Sequence, residues 1–270
     1  PRHSDAANSL YRYLAMAGVE QMQARRRLVG PLQTAEQWRG RRKEVRRLLM
    51  EEILGPFPEK TPLNARVAGV VEKDGYRIEK VVYESVPGFY VTAALFVPEG
   101  VPEPAPAVVF ASGHTADAFR NPGPSQYLRI VMNLVKKGFI VLAFDPISQG
   151  ERLQYVDGAS GTSRIGKATF EHAFAGVQGL VAKLSMAEVM TWDGVRAIDY
   201  LVTRPEVDAE RIGMAGNSGG GVQTAYVAAV EPRVRAAAPG NYITSLERLL
   251  QTRGPQDAEQ YLYHQIARGV

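Results

Sequence analysis

In Gly216-Asn217-Ser218-Gly219-Gly220 a serine stands with glycine two positions to either side, the pattern Gly-x-Ser-x-Gly. The run Arg211-Ile212-Gly213-Met214-Ala215 before it reads as a short buried strand, and the Ala/Val-rich stretch 221–230 after it reads as a helix. A serine on a strand-to-helix bend needs neighbours without side chains, because the turn is too tight for them. There its hydroxyl can attack an acyl carbonyl once a base takes its proton. The backbone N–H of Gly219, at the positive end of the helix, can then hold the developing oxyanion. The plainer alternative, a glycine-rich turn whose serine caps a helix, leaves the flanking pattern unused.

A second oxyanion donor is expected from the loop after an earlier parallel strand, here residues 112–116, with the N–H of Thr115 as the candidate. Asp145-Pro146-Ile147-Ser148-Gln149-Gly150-Glu151-Arg152 follows another buried strand, where α/β sheets place ligand loops. Gln149 and Asn217 are candidate pocket residues, and Glu151 with Arg152 is expected to brace its loop as an internal ion pair. Glu171-His172 could line a pocket or bind a metal; no His, Asp or Glu stands three or four residues from His172 on the C-terminal side, so no metal is expected. Trp192 and Asp193 are assigned packing and capping roles.

These residues need a scaffold. Residues 5–28 and 35–54 carry apolar residues at helical spacing; Thr34 with Gln37 forms a capping-box pattern and Gly55-Pro56 closes the second helix. Between 65 and 97, β-branched and aromatic runs broken by Lys73-Asp74-Gly75 and Pro87-Gly88 predict an antiparallel meander. The continuous apolar runs 107–111 and 139–144 predict strands buried on both faces, joined through a helix over 126–137 that ends at Gly138. Residues 149–178 are read as a long surface excursion. A helix over 184–203, the serine turn, a short run at 234–238 and a helical tail over 245–267 complete the pattern. The division expected is an N-terminal helical extension, residues 1–60, and a core, residues 61–270.

At 270 residues and 45% hydrophobic content the chain can bury one large α/β core. The net charge of +4 is local: residues 1–60 hold 12 Lys/Arg against 7 Asp/Glu. Glutamates interrupt the basic cluster and leucines give it an inner face, which argues for a solvated helix and against nucleic-acid binding. With no cysteine, disulfides and thiolate chemistry are excluded. No apolar run reaches the roughly 20 residues that span a bilayer, so no membrane insertion is expected and the protein should be soluble. A chain that starts at Pro1 is compatible with a removed leader, and a secreted or periplasmic location is expected over a cytoplasmic one.

The blocks Ser112-Gly113-His114-Thr115, Asp145 to Arg152, Trp192-Asp193 through Asp199-Tyr200-Leu201, Arg204-Pro205-Glu206-Val207-Asp208 and the serine bend occur in that order over about residues 61–245. Together they resemble the α/β-hydrolase superfamily, in its acetyl xylan esterase and dienelactone-hydrolase-like branch. The resemblance implies a mostly parallel sheet with helices on both faces, an antiparallel start, and a serine esterase acting on acetyl or small acyl esters of carbohydrate. It places Ser218 as nucleophile, with His114 in the oxyanion loop and not as general base, and implies no cofactor. Its pattern usually has Gly where Ser148 stands.

In that fold the triad acid and histidine follow Ser218 in sequence, after later strands. Only one strand, near 234–238, is recognisable downstream; His264 falls in a helical stretch, and Glu231, Glu247, Asp257 and Glu259 follow no strand. The expectation is therefore of a core whose C-terminal strands are missing from this chain, with the base outside it, and of a sheet that a second polypeptide could complete. A homo-oligomer is also compatible. Two alternatives stand beside the esterase: a peptidase of the prolyl-oligopeptidase type, disfavoured by the lack of a propeller upstream, and a non-catalytic module that keeps the pocket for binding.

Overall fold

The computed structural model describes residues 6–120, 127–252, 257–260, 262 and 265–270. Helices α1 (Ser9–Val29) and α2 (Ala35–Leu48) come first. The Thr34 hydroxyl accepts the Gln37 N–H at 3.2 Å, and the Gln37 side chain accepts that of Thr34 at 3.0 Å, so the capping box forms as the pattern predicts. A π turn, Leu49–Ile53, follows α2 and carries Leu49, Ile53 and then Leu54 into the main core. Each such side chain contributes about 1.5–3 kcal/mol on burial. Helix α1 buries no residue.

Strands β1 (Arg66–Lys73), β2 (Tyr76–Val86) and β3 (Phe89–Pro98) form the expected antiparallel meander. Strands β4 (Ala105–Ala111) and β5 (Ile140–Phe144) are parallel neighbours linked through α3 (Tyr127–Val135). β6 (Val207–Asn217) pairs with β4, and β7 (Val234–Gly240) with β6, both parallel. The order is β1-β2-β3-β5-β4-β6-β7. The apolar runs read as doubly buried are so: Val109, Ala111 and all of β5 are at most 1% exposed.

Helices α5 (Met186–Leu201) and α6 (Gly219–Val230) cover one face of the sheet together with the end of α2; α3 packs on the other with Phe96, Phe110 and Phe119. β7 is the outer strand, and Arg235, Ala236, Ala237 and Ala238 are exposed. No helix among the described residues is long and apolar enough to cross a membrane.

Two expectations need correction. The excursion over 149–178 is a loop only in its first part: Thr169–Val181 forms helix α4, whose Phe170, Val177 and Val181 face outward. The tail is not one helix, since α7 covers only Leu246–Thr252 and a separate 3-10 turn follows at Ala258–Gln260. His264 lies outside the described residues.

Candidate active site

β6 ends at Asn217 and α6 begins at Gly219, so Ser218 alone makes the bend. It holds φ +56° and ψ −120°, a region costly for a residue with a side chain, while its N–H donates to the Gly240 carbonyl at 2.9 Å. The residue is exposed. The flanking glycines are required by space: a side chain at Gly220 would overlap the Ala111 carbonyl of the neighbouring strand. The strain at Ser218 is thus held by β4 on one side and β7 on the other.

The loop after β4 packs directly on this bend. A Cβ at Gly113 would stand 3.1 Å from that of Ser218, and one at Gly219 would stand 2.5 Å from Nε2 of His114. His114 therefore lies over the first turn of α6, beside the amide expected to serve the oxyanion. Thr115 is half-buried in the same loop, with its hydroxyl donating to Ala118 O.

The loop after β5 fixes the loop after β4. The Gln149 side-chain amide donates to the carbonyls of Gly113 (2.7 Å) and Thr115 (3.0 Å), and Gly150 N–H donates to Ala116 O (2.9 Å). Gln149 is 1% exposed, so it braces the loop after β4 and does not line a pocket, contrary to the sequence reading. The Asp145 carboxylate anchors its own loop, accepting Thr92 Oγ1 (2.6 Å) and Arg120 Nη1 (2.5 Å). The ion pair expected between Glu151 and Arg152 does not form. Arg152 is buried against Asp193 at 2.7 Å, while Glu151 points outward near Arg120. The role assigned to Trp192 is met: its indole N–H donates to Ser85 O at 2.8 Å, and the ring stacks on Phe57. Asn217 is also occupied, donating to Tyr127 Oη (3.3 Å) and accepting from Asn241 (2.6 Å).

His172 is fully buried on α4 and faces no open pocket. Its Nε2 lies 2.8 Å from Ile147 O and its Nδ1 2.7 Å from Asp257 Oδ2. His114 Nε2 meets the same carboxylate oxygen at 2.7 Å and Glu259 Oε1 at 3.1 Å. Burial disfavours a charged imidazole at His114, but Asp257 and Glu259 outweigh it and raise the pKa to about 10. Asp257 is driven well below the usual carboxylate range: burial pushes it up, and the two histidines more than reverse this. Glu259 is raised, chiefly by burial. The ligand atoms of these four residues lie within 4.8 Å of one another, so they could hold a metal ion. This overturns the argument against metal from local spacing, because the partners come from 85 and 87 residues downstream and not from the same helix. Sequence reasoning weighed Asp257 and Glu259 only as triad acids; no local pattern ties them to His172. The other two acids are engaged elsewhere, Glu231 with Arg233 (2.6 Å) and Glu247 with Arg26.

A cleft of about 680 Å³ lies to one side, between α1 and the segment after β7, lined by Arg25, Tyr226, Asn241 and Tyr242. Ser218 is not among the residues that line it.

The sequence model of the family described as acetyl xylan esterase (AXE1) matches residues 61–266, more than half of the chain. The chain belongs to the acetyl xylan esterase family. YtaP of Bacillus subtilis (strain 168) is 27% identical over 202 residues, which are 70% of this chain and 61% of that protein. Among solved structures, BF1801 of Bacteroides fragilis NCTC 9343 superposes with a TM-score of 0.68 at 17% identity, over 85% of this chain and 62% of that one. Acetyl xylan esterase 1 from Thermoanaerobacterium sp. JW/SL YS485 gives 0.54 at 22% identity, over 81% and 64%. At such identities the structures speak for the fold, which is the α/β-hydrolase fold that the sequence blocks implied. This acetyl xylan esterase family chain spans about three fifths of the length of these relatives.

Proposed function

We propose that the chain carries the nucleophile of a serine esterase that removes acetyl or other small acyl groups from carbohydrate-type esters through an acyl-enzyme. Ser218 Oγ attacks the carbonyl, and the oxyanion is received by the N–H groups of Gly219 and Thr115, each donor worth about 3–4 kcal/mol of barrier. One observation carries this reading: Ser218 is exposed and held at φ +56° on a strand-to-helix bend, with the Gly113–Thr115 loop packed on it. Membership of the acetyl xylan esterase family supports the substrate class.

The serine proton goes to an imidazole base in this mechanism. His172 is buried with both ring nitrogens engaged, and His114 Nε2 faces Asp257 and Glu259. The base is therefore assigned to a residue outside those described. The exposed outer edge of β7 could pair with a further strand, in this or a second polypeptide, whose loop would reach the same end of the sheet as Ser218.

A fluorophosphonate probe tests the reading. The expected result is a single adduct mapped to Ser218, absent in Ser218→Ala, with turnover of p-nitrophenyl acetate and none of a prolyl-peptide amide. Cleavage of the amide would favour the peptidase, and an unlabelled serine in protein that still binds acetylated sugar would favour the binding module.

A further inference from the structure

The cluster behind His114 poses a problem of protons. A carbonyl oxygen can only accept, so the 2.8 Å contact between His172 Nε2 and Ile147 O fixes the proton on Nε2. In the neutral ring Nδ1 then carries a lone pair, aimed at Asp257 Oδ2 from 2.7 Å. Two acceptors at that separation repel unless a proton or a metal ion lies between them, and either one meets the geometry. The same oxygen faces His114 Nε2, again at 2.7 Å. Glu259 adds an independent observation: it is 1% exposed, its Oε1 has only His114 Nε2 nearby at 3.1 Å, and its Oε2 has no hydrogen-bond partner among the described residues. A buried carboxylate oxygen left without a partner is strongly unfavourable.

We propose that His114 Nε2, His172 Nδ1, Asp257 Oδ2 and the Glu259 carboxylate form a binding site for one divalent cation of the zinc class. Two neutral imidazoles and two carboxylates balance a 2+ charge, and imidazole with carboxylate suits Zn²⁺ better than an all-oxygen cation such as Ca²⁺. The outer contacts expected of such a site are already made. The His172 ring is oriented by Ile147 O, and Asp257 Oδ1 accepts the Ala258 N–H at 2.8 Å. Tetrahedral donors about 2.0–2.1 Å from zinc stand about 3.3 Å apart, so Asp257 Oδ2 has to withdraw by about half an ångström, within reach of a small side-chain rotation. His114 is the most exposed member of the set, with 20% of its side chain accessible, and marks the entry side. The ion would clamp the segment 257–260 to α4 and to the loop over Gly219. Its role there is structural, and binding does not require Ser218 to be the nucleophile.

Chelator-stripped protein titrated with ZnCl₂ by calorimetry tests this. The expected result is one site per chain and a thermal midpoint raised by about 5 °C at saturation. Co²⁺ in place of Zn²⁺ should give the intense visible absorption of a tetrahedral site. Glu259→Gln, which keeps the side-chain shape, and His172→Ala should each weaken zinc binding at least tenfold, whereas Ser218→Ala should bind it as the wild type does. If stripped wild-type protein shows neither binding nor a thermal shift, or if Glu259→Gln binds as tightly as the wild type, the site does not exist. Either result leaves the serine reading untouched, since that is decided by labelling of Ser218.

Discussion

Gln149 donates from one side-chain nitrogen to the carbonyl of Gly113, 2.7 Å away, and shares that nitrogen with the carbonyl of Thr115. Each peptide plane carries its carbonyl and the following N–H in opposite directions. The two bonds therefore fix the planes on either side of the one bearing the Thr115 N–H. This is how a buried residue of the β5 loop controls a loop over the β6–α6 bend.

Gln149→Leu is expected to leave both carbonyls without a donor, costing about 1–3 kcal/mol of stability, and to loosen the loop proposed to hold the oxyanion. Turnover of p-nitrophenyl acetate should fall up to about 100-fold, the effect of a lost oxyanion donor, and the loss should appear in kcat more than in KM. Unchanged kcat with lowered stability would make Gln149 a packing residue only.

Ser148 stands where the family pattern usually has glycine, and the structure gives the reason for that glycine. The residue holds φ +66° and is fully buried, with its hydroxyl unpartnered among the described residues. A non-glycine residue in this region costs about 1–2 kcal/mol, and a buried unsatisfied hydroxyl about 1–3 kcal/mol. Against these, glycine gains freedom in the unfolded chain worth about 0.5–1 kcal/mol. Ser148→Gly is therefore expected to stabilise the protein by about 1–4 kcal/mol, read as a higher urea midpoint at unchanged slope. A lower midpoint would show that the hydroxyl has a partner that matters.

The parts of the molecule readable in advance are those whose pattern is local. Continuous apolar runs marked β4 and β5 because both faces of those strands are covered, and the Thr34–Gln37 pair marked the start of α2 because both of its bonds span three residues. Helix α4 was hidden for the opposite reason. Phe170, Val177 and Val181 point outward while Glu171 and His172 are buried, which inverts the usual amphipathic signal. The contacts that define the neighbourhood of the serine were out of reach: Gln149 meets Gly113 across 36 residues, and His172 meets Asp257 across 85. Residue types suggested each as a site member, but only the folded chain decides which brace backbone and which face one another.

Asp199 ties three parts of the chain together. Its carboxylate receives Lys60 from the segment before the sheet (2.8 Å), Arg196 of its own helix (2.6 Å), and Arg233 from the turn before β7 (2.6 Å). Burial would raise its pKa, but the hydrogen bonds from Lys60 and Arg233 hold it below the usual value. Lys60 is half exposed, so solvent weakens its share relative to that of the less exposed Arg233. A carboxylate whose pKa is lower folded than unfolded stabilises the fold above its unfolded value of about 3.9, and that contribution fades as pH falls through the folded value. Asp199→Asn keeps the shape but leaves Arg196, 3% exposed at its side chain, without its anionic partner, at a cost of about 3 kcal/mol near neutral pH. The stability of the wild type should therefore decline below about pH 4, and the gap between it and Asp199→Asn should narrow over the same range. Urea midpoints at pH 7, 5, 4 and 3 check this. A gap that stays constant through pH 3 would mean that Asp199 acts by shape and hydrogen bonding and not by charge.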